Sequence, residues 1–308
     1  MTPHLYGARE LPYTARHVPY QLRKQLPIWP EGKRLAVLVY VAPEQWMWDR
    51  NEVFPPSIVR TAPGEKLPSL SSQSAITYAF EVGLPRMADI MAEVSQPFSI
   101  YTNATVAGQH PEALRGLAAA GHHIEAHGFS QGRPMTTMDA AGQAADIELS
   151  TAELERLTGQ RPRGWIGPGA MATPETLRLL ADHDYTFNAD LQDDDLPYFM
   201  DFGDKTMVEI PYRMVGNIND VFFTLSNKSP ADAWAHLTGA FDAALEVARD
   251  TPLLFIYGTH PHVSGRPEYA RIFRNFLQLA LGTPEAWLTT YRDVADWWID
   301  SFANGYGE

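Results

Sequence analysis

The sequence predicts an α/β protein, a distorted (β/α) barrel of about seven parallel strands. Three observations carry this expectation. Short apolar runs, several rich in β-branched residues, alternate with longer amphipathic stretches about seven times along the chain. The connections between them are mostly short, as repeated right-handed crossovers require. No glycine-rich phosphate loop follows the first run, where a nucleotide-binding doubly wound sheet would carry one. The length of 308 residues suits a single barrel of this kind.

Leu35–Val41 (LAVLVYV) reads as the first strand, apolar throughout and therefore buried on both faces. Residues 1–34 before it form a polar, proline-bearing arm, expected to wrap the body or a neighbouring subunit. Residues 42–74 follow as a long loop rich in Pro, Ser and Gly, with Trp46, Trp48 and Phe54 near its start. Loops of that length are functional, pack on a subunit, or simply cover the surface. Pro85–Val94 reads as a helix, Phe98–Thr102 as a strand, and Pro111–Ala120 as a helix stopped by Gly121. His123–His127 is a strand, Met138–Leu157 a long helix ended by Gly159, and Gly164–Ile166 a short strand.

Thr173 caps the next helix, which runs to Asp182 with Pro174 at its first position. Tyr185–Ala189, Met207–Pro211 and Val221–Leu225 read as strands. Ala231–Ala248 is a helix opened by Ser229-Pro230, and Leu253–Thr259 (LLFIYGT) is a buried strand. Glu268–Leu281 is a helix, Trp287–Tyr291 the final strand, and Arg292–Phe302 the last helix. Residues 35–302 then make one domain and 303–308 a tail, with no linker or internal repeat dividing them.

Composition narrows the function classes. Hydrophobic residues are 45% and charged residues 20% of the chain, a balance that supplies a sizeable core. The 24 basic and 37 acidic residues leave a formal charge of −13, which argues against nucleic acid and against an anionic membrane face. No apolar run approaches the roughly 20 residues that span a bilayer. The chain has no cysteine, which removes disulfides, thiolate nucleophiles and cysteine-held metals. The first thirty residues lack the apolar stretch of a secretory signal, so a cytoplasmic location is expected.

In such a barrel, reactive side chains sit at the carboxyl ends of the strands. Those positions hold Glu44 and Trp46, then His127, then Trp165 with Pro168-Gly169. Asp190 and Asp193–Asp195 follow, then Tyr212, Asn219 and Asp220, then His260 and His262. Histidines, carboxylates and aromatics gathered on one rim point to an enzyme acting on a small molecule. Singly each is weak. His260 and His262 also make an HxH pair that can bind zinc, though two ligands without a third are a poor site. Asp193–Asp195 also reads as a solvated turn, and Trp165 and Tyr212 as core residues with satisfied polar tips.

Three segments, GHHIEAHGFSQGRPM (Gly121–Met135), RPRGWIGPG (Arg161–Gly169) and THPHVSGRP (Thr259–Pro267), resemble successive motifs of the polysaccharide deacetylase superfamily. ADLQDDDLPY (Ala189–Tyr198) and EIPYRMVGNIND (Glu209–Asp220) resemble its branch of uric-acid-pathway allantoinases and related cyclic-amide hydrolases. The resemblance runs from about Leu35 to Trp298. It implies a distorted barrel, hydrolysis of a carbon–nitrogen amide bond, and often an oligomer. A homo-oligomer is therefore expected, with the aromatic loop Trp46–Phe54 or the N-terminal arm at the contact.

In typical members, a divalent metal is held by a first-strand aspartate and an H-x-x-x-H pair, with a second aspartate as base and a late histidine as acid. This chain departs from that pattern. VYVAPEQW (Val39–Trp46) offers only Glu44, and Gln131 stands where the second histidine belongs after His127. No cofactor is firmly implied, and a divalent metal such as zinc stays open.

The residues then permit amide hydrolysis with Glu44 or His127 as general base and His260 as the acid for the leaving nitrogen. Trp165, Tyr212 and the backbone of Gly167–Gly169 would hold the carbonyl oxygen, and Asp194 or Asp195 would orient a histidine or bind a substrate N–H. Trp46, Asp190 and Asn219 complete the expected substrate contacts. The rival readings are a metal-dependent deacetylase of an N-acetylated sugar or amine, and an inactive ligand-binding homologue.

Overall fold

A computed structural model describes residues 11–26, 29–48, 52–53, 69–212 and 218–306. Among the described residues eleven strands form one mixed sheet: β1 (Thr14–Arg16), β2 (Leu35–Val41), β3 (Ser99–Thr102), β4 (His123–Ala126), β5 (Gly164–Trp165), β6 (Phe187–Asn188), β7 (Tyr198–Asp201), β8 (Thr206–Glu209), β9 (Ile218–Asn219), β10 (Leu253–Thr259) and β11 (Ala286–Thr289). Their order is β1-β7-β8-β6-β5-β4-β3-β2-β10-β9, with β11 beside β2. From β8 to β9 every pairing is parallel, while β7 and β1 extend the β8 edge in antiparallel fashion. The expected α/β fold with a mostly parallel sheet is what the chain adopts. The two ends of the parallel run approach each other: Asn219 on β9 donates a hydrogen bond of 2.7 Å to the Tyr212 hydroxyl, three residues beyond β8.

The helices are α1 (Leu70–Tyr78), α2 (Leu84–Val94), α3 (Ala104–Gln109), α4 (Pro111–Ala119), α5 (Ala140–Thr158), α6 (Pro174–Asp182), α7 (Asp220–Leu225), α8 (Pro230–Ala248), α9 (Pro267–Gly282) and α10 (Tyr291–Phe302). Local chemistry fixes their ends. Asp139, Thr173, Ser229 and Thr290 each cap a helix through the side chain, and Gly159 closes α5 in the left-handed region that glycine adopts cheaply.

The period-2 geometry of β2 divides the core in two. Leu35, Val37, Val39 and Val41 join the outer layer between sheet and helices. Ala36, Leu38, Tyr40 and Ala42 join an inner cluster with Tyr101, Phe187 and Val208. The last helix, α10, contributes Tyr291, Val294 and Trp298 to that inner cluster.

Several elements differ from the sequence expectation, among them the unforeseen strands β1, β7 and β9 and helices α1 and α3. Val221–Leu225 is the body of helix α7, not a strand. The Asn219 side chain accepts from Val221 N at 2.9 Å and starts the helix, which a five-residue apolar run cannot reveal. The loop expected over 42–74 ends earlier, because Ser69 caps α1 through Ser72 N. A π-helical turn over Ala79–Gly83 then carries the chain into α2. Gly83 lies so close to the loop after β10 that a Cβ there would sit 2.2 Å from the Pro261 carbonyl oxygen, so only glycine fits. Phe54 lies outside the described residues. The N-terminal arm folds onto its own chain, since β1 pairs with β7. Among the described residues no helix is long and apolar enough to cross a membrane.

Candidate functional site

Three strand ends deliver the central cluster. Ala42 N bonds Thr259 O at 2.8 Å just past β2, and the chain turns to place Glu44 beneath the ends of β4 and β10. His127 follows β4 and His260 follows β10. All three side chains are about 5% exposed. One carboxylate oxygen, Glu44 Oε1, lies 3.4 Å from His127 Nε2 and 3.4 Å from His260 Nε2. Two histidines 133 positions apart in the chain thus share a single carboxylate.

The protons of these imidazoles follow from their other nitrogens. His127 Nδ1 is 2.5 Å from the Ile166 carbonyl oxygen, which can only accept, so Nδ1 carries the hydrogen. Nε2 then faces the cluster, and it has no hydrogen-bond partner within normal distance. His260 Nδ1 donates to Asp220 Oδ1 at 2.7 Å, and its backbone N–H donates to Asp220 Oδ2 at 2.8 Å. Ser264 adds donors from its backbone N–H and its hydroxyl to the same oxygen.

Burial alone would discharge His260, but the carboxylates of Glu44 and Asp220 outweigh it and push its pKa well above the ordinary value. Burial likewise pushes Glu44 up. The charge on His260, with its hydrogen bond, and the neighbouring His127 prevail and hold it well below the usual carboxylate range. The site is therefore a buried imidazolium between two carboxylates, with a second imidazole presenting an unpaired Nε2. Neighbouring His262 is driven down to about 4 by burial and by the charge of His260.

A hydroxyl network borders His260. Tyr40 Oη donates to Tyr212 Oη at 3.1 Å, Asn219 Nδ2 donates to Tyr212 Oη, and the Tyr40 ring lies 6.5 Å from the His260 ring. On the other flank, Asp190 Oδ1 accepts from Gly167 N at 2.7 Å, while Oδ2 and Trp165 Nε1 are buried without partners. Both unpartnered atoms lie about 3.1–3.2 Å from where a Gly167 Cβ would stand.

Other sequence candidates lie elsewhere. Asp194 accepts from His17 and Arg23 at 2.8 and 2.9 Å and so pins the N-terminal arm. The carbonyl of Asp195 accepts from Leu254 N near the start of β10, six residues and roughly 20 Å of extended chain before His260. The carboxylate that holds the His260 ring is Asp220. The run of three acidic residues gave no sign of which way the chain would turn. Trp46 is fully buried in the outer layer, and its indole N–H donates to Val53 O at 3.2 Å, so it is a packing residue. Trp165 also packs in that layer, edge-on to Tyr185. Asp220 and Tyr40 are the residues beside His260 that sequence reasoning left without a role. The period-2 pattern of β2 carried the signal for Tyr40.

The donors do not fit the three-ligand metal centre that the motifs suggest. Gln131 is turned into a polar network, its Oε1 accepting from Asn103 Nδ2 at 3.3 Å and its backbone N–H donating to Gln45 O at 3.0 Å. Among the described residues no three His, Cys, Asp or Glu side chains are grouped to hold an ion.

Two buried carboxyls give stability a distinctive pH dependence. Burial pushes Glu209 up to about 8 against hydrogen bonds from Asn188 and Leu191. Burial pushes Asp190 up to about 7 against the hydrogen bond from the Gly167 N–H. Between the ordinary carboxylate range and these values the folded chain binds more protons than the unfolded one, so stability falls as pH rises. Melting temperature is expected to drop from pH 6 to pH 9, and Glu209→Gln to drop less steeply. Equal slopes for the two proteins would show that Glu209 is ionised throughout.

Residues 72–188 match the family model for polysaccharide deacetylase. A peptidoglycan deacetylase of Helicobacter pylori is 30% identical over 130 residues, which cover 42% of this chain and 44% of that protein. The chain thus spans less than half the length of that curated relative. Among solved structures, the Puue allantoinase superposes with a TM-score of 0.80 at 26% identity, covering 89% of this chain and 93% of the other. A probable polysaccharide deacetylase from Pseudomonas aeruginosa PAO1 gives 0.78 at 25% identity, over 88% and 93%. By motif order, family-model match and fold, the chain is similar to proteins of the polysaccharide deacetylase superfamily.

Proposed function

We propose that the protein hydrolyses a carbon–nitrogen amide bond of a small cyclic amide or ureide without a metal ion. The observation that carries this reading is the single Glu44 carboxylate shared at 3.4 Å by the Nε2 atoms of His127 and His260. His127 is the better base. Its proton is committed to Ile166 through Nδ1, which leaves the Nε2 lone pair for water. Glu44, with its depressed pKa, is a weak base but stabilises the imidazolium that forms.

In the first step, water oxygen bonds to the carbonyl carbon as His127 Nε2 takes the water proton. The carbonyl electron pair moves to oxygen, where the Tyr40–Tyr212–Asn219 donors face the developing charge. In the second step the carbon–nitrogen bond breaks, and the His260 Nε2 proton passes to the departing nitrogen. The carboxylic acid so formed returns a proton to His260 and His127 releases the water proton to solvent, which leaves a carboxylate and a ring-opened amine or urea nitrogen. A ring ureide has a better leaving nitrogen than a plain acetamide, which suits a site with an incomplete metal donor set.

The likeness to the Puue allantoinase supports the ring-amide reading, and the likeness to the peptidoglycan deacetylase supports removal of an N-acetyl group. The donor set favours the former. A panel of hydantoins, dihydropyrimidines, cyclic imides and N-acetyl sugars, assayed with and without chelator, separates them. Turnover of a ring amide that survives chelation is expected. Hydrolysis of N-acetyl sugars alone, abolished by chelator, would establish the metal-dependent reading, and binding with no product would mark an inactive homologue.

A further inference from the structure

We infer that Ser264 is a positioning residue for His260: its hydroxyl, backed by Tyr257, sets how firmly Asp220 holds the His260 ring and its protons. This rests on the hydrolytic reading above, in which His260 is the acid. Asp220, Ser264 and Tyr257 are all buried, the first two completely. Asp220 Oδ1 accepts from His260 Nδ1 at 2.7 Å. Oδ2 accepts three hydrogens, from His260 N at 2.8 Å, Ser264 N at 3.1 Å and the Ser264 hydroxyl at 2.5 Å. The first two come from the backbone and need no particular side chain. The turn that supplies them is closed without the hydroxyl, since Val263 N and Ser264 N bond the His260 carbonyl at 2.9 and 2.8 Å. The hydroxyl is thus spare for folding the turn, yet its contact with Asp220 is the shortest of the four.

A hydroxyl has one hydrogen, and that of Ser264 goes to Asp220. The Tyr257 hydroxyl is hydrogen-bonded to the Ser264 side chain, so the phenol is the donor there. Phe223 of α7 and Phe276 of α9 hold the Tyr257 ring at centroid distances of 6.5 and 5.4 Å. A hydrogen-bond chain therefore runs from Tyr257 through Ser264 and Asp220 to His260, and bonds in such a chain strengthen one another. Each donor on Oδ2 draws charge from the carboxylate and weakens its pull on the imidazolium. Without the Ser264 hydroxyl, Asp220 pulls harder on the Nδ1 hydrogen. His260 then parts less readily with its Nε2 proton, and the step that breaks the carbon–nitrogen bond slows. Ser264 and Tyr257 act only through Asp220, so substrate binding is left as it was.

The test compares wild type, Ser264→Ala and Tyr257→Phe by proton NMR of the His260 Nδ1 hydrogen, assigned by its absence in His260→Ala. The same proteins are assayed on two ring amides that the wild type turns over and whose leaving nitrogens differ in basicity. In Ser264→Ala the Nδ1 resonance is expected to move downfield, and kcat to fall roughly three- to tenfold, part of the worth of one hydrogen bond to a charged group. KM stays within twofold, and the loss is greater for the more basic leaving nitrogen. Tyr257→Phe shows the same pattern to a smaller degree. An unmoved resonance in Ser264→Ala overturns the inference, as does a loss confined to KM or equal for the two leaving nitrogens. If Ser264→Ala does not fold, Tyr257→Phe decides by the same readings. The resonance is read whether or not a ring amide is hydrolysed. A wild type that hydrolyses none therefore defeats the proposed reaction, while the downfield shift alone still sustains the hydrogen-bond chain.

Discussion

His260→Ala is expected to lower kcat on a ring amide by roughly 10²- to 10⁴-fold, the range for removing a general acid, while the chain stays folded. His260 is the only imidazole of the cluster that holds a proton at Nε2 by charge on both sides, from Glu44 and from Asp220. The departing nitrogen needs that proton because an amide anion is too poor a leaving group. The fold should survive because Asp220 keeps its hydrogen bonds from the Ser264 backbone and hydroxyl and from the backbone N–H of position 260. Circular dichroism and kcat measured on the same sample check this. A His260→Ala protein with full activity ends the mechanism.

Glu44→Gln is expected to cost a comparable factor and to change the shape of the pH profile. Glu44 is the carboxylate next to both reactive nitrogens, and its charge raises the His260 pKa. Removing that charge lets burial pull the pKa of His260 down. The acid form is then lost at lower pH, so the alkaline limb of kcat/KM moves toward acid. The amide preserves shape, which separates this effect from packing. An alkaline limb that stays in place would mean that Glu44 does not set the charge of His260.

Much of this arrangement was legible before any coordinates. The two seven-residue apolar runs, Leu35–Val41 and Leu253–Thr259, are strands β2 and β10 with the same bounds, because continuous burial leaves no other period to read. Glu44, His127 and His260 follow three parallel strands, and parallel pairing brings strand ends to one rim whatever their separation in sequence. The partner of His260 was hidden for a local reason. Asp220 opens a helix that the apolar run VFFTL disguised as a strand, so its carboxylate was not expected to point back at β10. Asp194 and Trp46 carry the right chemistry in the right neighbourhood of the sequence. One is drawn off by Arg23 and His17, the other by the outer core, and neither long-range contact leaves a trace in local pattern.

The central claim is that a shared carboxylate and two imidazoles split the amide bond unaided by a metal ion. It is tested most directly by turnover of a ring amide by protein stripped of metal and shown by elemental analysis to hold far less than one equivalent per chain. The account predicts that kcat is unchanged by stripping and by added zinc. Activity that vanishes on stripping and returns in proportion to one bound zinc per chain would contradict it.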